Sequence, residues 1–181
     1  MALFLFFLNL VWSGAALIYD LPAIASIPLW AWAFVIVCPL YPFLLALMWW
    51  YRLKKKTIPP FLLGFGGLAS AFYGILALIF YPLLLHYDHF SWNAILQIFW
   101  VWAYAIQGWY FFLTSPPPTR IRAATCLFLA TSLVIDYYTQ GFNYLAISQL
   151  PDLVQKIILF LSFGILLTLF LLPRSKNKHR D

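Results

Sequence analysis

Two histidines and an aspartate, His86, Asp88 and His89, fall within the stretch LLLHYDHFSW (83–92), where a long apolar run gives out. On a continuing helix the i,i+3 spacing puts His86 and His89 on one face and turns Asp88 away. Two imidazoles so placed can hold a metal or a haem iron. A site of that kind needs at least one further ligand, which Asp20, Asp136 or Asp152 would have to bring from another outer loop. Asp136 also stands out by position. It follows Arg122 by fourteen residues, about 21 Å of helix at 1.5 Å per residue. At that depth in a bilayer a carboxylate needs protein or trapped water beside it. His86 is its nearest partner by depth, and such a pair could relay protons or bind a polar headgroup. The simpler reading, which we favour, is an interfacial cap wetted by solvent.

A second constellation is Asn93, Gln97, Trp100, Tyr104 and Gln107, at steps of four, three, four and three. This is one face of a helix, and its hydrogen-bonding groups would go unsatisfied against lipid. Gln97, Trp100, Tyr104 and Gln107 could wall a cavity for a quinone-like or other lipophilic ligand; the favoured alternative is hydrogen bonding between helices. Asn9, Ser13, Ala16 and Asp20 repeat the pattern more thinly. There is no GxSxG, HExxH or phosphate-binding loop, and no twinned carboxylate pattern, so no catalytic residue is assigned. The sequence requires no cofactor, although quinone or haem chemistry would suit the residues named.

The elements that must position these groups follow from composition. Of 181 residues 65% are hydrophobic and 9% charged, against roughly 25% charged in an ordinary soluble domain. So small a soluble fold could not hide that much apolar surface. The expected class is all-α, an integral membrane bundle of six transmembrane helices near 2–19, 27–50, 61–86, 92–113, 120–140 and 153–173. These form a single domain over 1–173 with a basic tail at 174–181. The first run lacks a basic leader and reads as a membrane helix rather than a signal peptide. Of the eleven Lys and Arg residues, ten fall in RLKKK (52–56), at Arg120 and Arg122, or from Arg174 onward. With six spans these clusters share one side, which the positive-inside rule makes cytoplasmic together with both termini. The same confinement argues against nucleic acid as a partner. Cys38 and Cys126 lie in separate apolar runs and read as small buried side chains.

Gly64, Gly67, Ala71 and Gly74 form a flat face that predicts the third span at the centre of the bundle. Pro39 and Pro42 predict a kink near the middle of the second. The tryptophans cluster near span ends and read chiefly as interfacial anchors.

The stretch IPLWAWAFVIVCPLYPFLLAL (27–47) resembles the YpjA-like membrane proteins of bacteria and haloarchaea. So do FYGIL (72–76), AIQGWYFF (105–112) and DYYTQGFNYLAISQLPD (136–152). Where members of that family tend to carry an acidic residue, a lysine, and a His or Glu, this chain has Val37, Phe72, Val101 and Gln107. The resemblance implies a small polytopic protein of a bacterial or archaeal cytoplasmic membrane, with an accessory role beside respiratory electron-transfer complexes. The leading expectation is therefore a noncatalytic accessory or assembly subunit that contacts other membrane subunits and, along spans three and four, lipids or quinone. The alternatives are a small transporter or metal- or haem-dependent protein using the outer His/Asp cluster, and a sensor of porphyrin- or sterol-like ligands. The last rests on size and tryptophan content alone, because the motifs of the tryptophan-rich sensory proteins are not visible.

Overall fold

The computed structural model describes residues 1–25, 37–87, 92–139 and 151–172, and among them there is helix and no strand. The elements are α1 (Ala2–Ala25), α2 (Val37–Leu53), α3 (Pro60–Leu62), a π-helical segment (Leu63–Leu68), α4 (Ala69–Tyr87), α5 (Trp92–Thr114), α6 (Thr119–Thr139) and α7 (Asp152–Leu171). Leu62 and Ala69, which flank the π segment, both keep right-handed helical dihedrals, so α3, the π segment and α4 form one rod. Among the described residues these make a bundle of six rods. Proline sets several of the starts: Pro60 opens α3, where its missing N–H costs nothing, and Pro151 precedes α7. In the first turns of α7, Asp152 faces the helix dipole and pairs with Lys156 at 2.7 Å.

Side-chain contacts fix the directions of the rods. Phe6 near the start of α1 lies against Trp50 near the end of α2, with ring centroids 5.4 Å apart. Further along, Ser13 donates to the Pro39 carbonyl at 2.7 Å. Arg52 at the end of α2 donates to Ser115 at the end of α5 at 3.3 Å. Arg122, in the first turn of α6, donates to the Phe170 carbonyl at 3.2 Å and also to the Leu172 carbonyl. The chain start, the 54–59 connection, the 115–118 elbow and the end of α7 therefore gather at one end of the bundle. RLKKK and Arg120–Arg122 are brought to that same end.

Arg122 is 4% exposed, and its guanidinium also lies 5.6 Å from the Phe112 ring centroid. It satisfies carbonyls that the last turn of α7 would otherwise leave without donors. Hydrogen bonds to a charged group are each worth about 1.5–3 kcal/mol. Arg122→Met should therefore lower stability by about 2 kcal/mol and release α7, measured as a lower melting temperature and faster proteolysis near residue 172. Lysine should rescue little, since it lacks the planar fork that reaches two carbonyls.

The π segment, LGFGGL, is the centre of the bundle. It touches α2, α5 and α6, and Gly64, Gly66 and Gly67 are all buried. A Cβ on Gly64 would lie 2.4 Å from Thr125 Oγ1 on α6, one on Gly66 2.6 Å from Met48 Sδ on α2, and one on Gly67 3.4 Å from Phe111 Cβ on α5. Wider winding thus aims three small residues at three neighbours, whereas the sequence pattern placed Gly64 on the same face as Gly67. That face continues into α4, where Gly74 meets Ala105 and Ala71 meets Gly108 of α5. π turns are rare and short because their geometry is poor. Here the close approach of three helices holds one in place.

Pro42 lies inside the described part of α2, which begins at Val37, and interrupts its ladder. One expectation changes near the end of the same helix. Trp49 turns inward: it is 5% exposed, unlike its neighbour Trp50 at 42%, which suits an anchor. The stretches Pro60–Ile79 and Asp152–Leu171 are each long and apolar enough to cross a membrane, and Ala2–Ile18 is a shorter apolar helix. Of the first, 61% is buried inside the bundle, against 22% of the second.

Candidate functional site

The polar face of α5 meets that of α1 at Gln107. Its side-chain oxygen accepts from Asn9 Nδ2 at 2.7 Å and from Trp49 Nε1 at 2.7 Å. Its amide nitrogen donates to the Ala103 carbonyl at 3.0 Å and to Asn9 Oδ1 at 3.4 Å. An amide has two acceptor sites and two donors, and Gln107 uses all four within the protein. Both Gln107 and Asn9 are buried. Trp49 is the member that periodicity could not supply, because the indole N–H comes from α2 and only the packing of α2 on α1 aims it. Of the rest of the α1 stripe, Ser13 bonds across to α2 and Ala16 is buried, while the Asp20 side chain lies outside the described residues.

One turn and more above, Tyr104 is buried and Trp100 stacks on Trp12 of α1, with centroids 4.3 Å apart and planes 13° from parallel. Tyr41 and Tyr73 are hydrogen-bonded through their side chains, with rings 5.2 Å apart. Gln107, Tyr104 and Trp100 therefore do share an inward face of α5, closed by α1 and α2. Gln97 and Asn93 belong to the same helix, but their side chains lie outside the described residues. The same holds for the side chains of His86, in the last turn of α4, and Asp136, in the last turn of α6, and for His89 altogether. Among the described residues no three His, Cys, Asp or Glu side chains come together. Cys126, half-buried on α6, lies 3.8 Å from the Leu166 carbonyl; the Cys38 side chain is outside the described part.

At the basic end the chain builds a second feature that the sequence pattern did not single out. α2 closes in a Schellman turn: Lys56 N–H donates to the Tyr51 carbonyl at 2.9 Å and Lys55 N–H to the Arg52 carbonyl at 3.0 Å. Lys55 takes the left-handed position with φ of 50°. Glycine is the usual residue there, since a side chain costs about 1–2 kcal/mol. Beside the turn lies a recess of about 500 Å³ bounded by Arg52, Lys55, Lys56, Thr57 and Ser115, with Ile58 and Leu63 as its apolar lining. Charge runs at span ends are common, so the clue in the sequence was indistinct; the concavity comes from Ser115 on a remote connection.

Comparisons of the chain with protein-family models, curated proteins and solved structures give no match. The functional reading therefore rests on the chain's own sequence and geometry.

Proposed function

We propose that the chain is a noncatalytic integral membrane protein of six spans, with both termini cytoplasmic, serving as an accessory or assembly subunit of a membrane complex. The saturated Gln107 amide is the observation that carries this reading. The most polar position of the inner face spends its whole hydrogen-bonding capacity on joining α1, α2 and α5, which is the work of a scaffold and leaves no donor or acceptor for a substrate. Orientation of apolar residues supports the membrane part of the reading. Phe4, Phe7, Val11 and Ile18 project outward from α1, and Phe160 and Leu167 from α7, with Phe160 79% exposed. A helix as apolar and as little covered as α7 suits lipid or a neighbouring subunit rather than water. The likeness of residues 27–47 to YpjA-like proteins supports placing the subunit in a respiratory setting.

Extraction tests both parts. The protein should resist alkaline carbonate and leave the membrane only with detergent. In mild detergent it should bring a stoichiometric partner subunit with it. A monodisperse lone monomer of unchanged stability would contradict the accessory role.

A further inference from the structure

We propose that the recess at the end of α2 binds the phosphate group of an anionic phospholipid, an inference that rests on the membrane reading above. Charge is the first argument. Arg52, Lys55 and Lys56 line the recess, and among the described residues no carboxylate lies within ion-pair distance of them. The chain contains no glutamate, and no aspartate occurs between Asp20 and Asp88. The rim therefore presents a positive field that no neighbouring acidic residue in the local sequence offsets. Shape is the second. The lining joins the buried apolar Ile58 and Leu63 to cationic side chains and the hydroxyls of Thr57 and Ser115, a combination that suits the junction of a phosphate with its glycerol and acyl chains. A volume of about 500 Å³ is within the usual range for a small-ligand site.

Conformation is the third argument. Lys55 holds a backbone position made for glycine, so the fold keeps a side chain at the rim where removing it would relax the turn. Arg52 is held in place, with its guanidinium donating to Ser115 at 3.3 Å and lying 5.9 Å from the Phe111 ring centroid. Its fork retains further donors for a phosphate. Position is the fourth. Trp50 next to the recess is 42% exposed, and Lys54 Nζ stands 4.7 Å from its ring centroid, the pairing expected at headgroup level. Basic pockets between membrane helices on the cytoplasmic side are where such headgroups bind.

The test uses the full chain in mild detergent, followed by its melting temperature during titration with phosphatidylglycerol, with phosphatidylcholine of the same acyl chains, and with inorganic phosphate. Phosphatidylglycerol should give a saturable rise and phosphatidylcholine none. Lys55→Gly and Lys56→Gln should each raise the half-saturating concentration about fivefold, while Lys55→Gly without lipid melts at or above the parent. Lys54→Gln removes the same charge from the same loop but outside the recess, and should change it by less than about twofold. A saturable rise with phosphatidylglycerol alone identifies a lipid as the source; an equal rise with inorganic phosphate, lost in the same variants, identifies free phosphate at the same site. Equal weakening by Lys54→Gln would mean diffuse surface charge and would overturn the site, as would a lack of saturation with every ligand. If the chain instead stays soluble without detergent, the membrane reading fails; an inserted chain indifferent to lipid charge sinks only the recess.

Discussion

Gly108→Ala should reduce stability by about 3 kcal/mol, the upper end of what overpacking costs, and should sharply lower the yield of folded protein. The added methyl would meet Ser70 Cβ at 2.6 Å, the Ala71 backbone nitrogen at 2.7 Å and the Gly67 carbonyl at 2.8 Å. Two of the three are backbone atoms of the central rod, so no side chain can swing aside, and α5 must move as a whole. Set against a total stability of about 5–15 kcal/mol, the loss is large. Gly14→Ala and Gly164→Ala provide the control, because nothing lies within 4 Å of a Cβ at either position. Both should be neutral or stabilising by up to about 1 kcal/mol from helix propensity. A double-mutant cycle probes the same interface at Gly74, whose Cβ would fall 2.0 Å from that of Ala105. Ala105→Gly should restore much of what Gly74→Ala loses. Thermal melts in a single detergent measure all of these variants, and a Gly108→Ala protein that melts with the parent would refute the close crossing.

Gln107→Leu should cost about 2–3 kcal/mol, since it strands the Asn9 amide and the Trp49 indole N–H in a dry interior, and each unsatisfied group costs about 1–3 kcal/mol. Measured hydrogen bonds between membrane helices are often weaker, near 0.6 kcal/mol, because a side chain can find another partner. The side-chain hydrogen bonds of Asn9 and Trp49 all go to Gln107, which places this case above that average. Asn9→Ala with Gln107→Leu should lose clearly less than the sum of the two single changes. Strict additivity would mean that the amides do not share the network. Because Gln107 also heads the ligand-wall residues, its substitution separates the two readings of this face: a scaffold loses melting temperature with or without added quinone, whereas a quinone site would show a lipid-like ligand protecting the parent but not the variant.

Periodicity made the helices legible, because apolar runs of the length a bilayer needs leave few other folds open. It also made the inward faces legible: Asn9, Tyr104 and Gln107 are buried where their spacing put them, and Gly74 lies at a helix crossing. What it could not give was anything that depends on winding or on a remote partner. Three glycines within LGFGGL look like a helical stripe, but the choice of a π turn depends on Thr125, Met48 and Phe111 arriving from three other helices. Trp49 resembled Trp50 in sequence, and only the packing of α1 on α2 separates a core indole from an exposed one. The recess shows the same limit, since RLKKK reads as an orientation signal and its concavity is completed by Ser115, more than fifty residues away in the chain.

The central claim is a membrane bundle whose chain start, 54–59 connection, 115–118 elbow and α7 end share one side. It is tested most directly by thiol labelling of intact vesicles, using a background with Cys38 and Cys126 replaced by alanine and single cysteines at positions 2, 55, 117 and 175. A reagent that cannot cross lipid should modify all four only when the cytoplasmic face is exposed. Modification of any two from opposite faces would contradict the account.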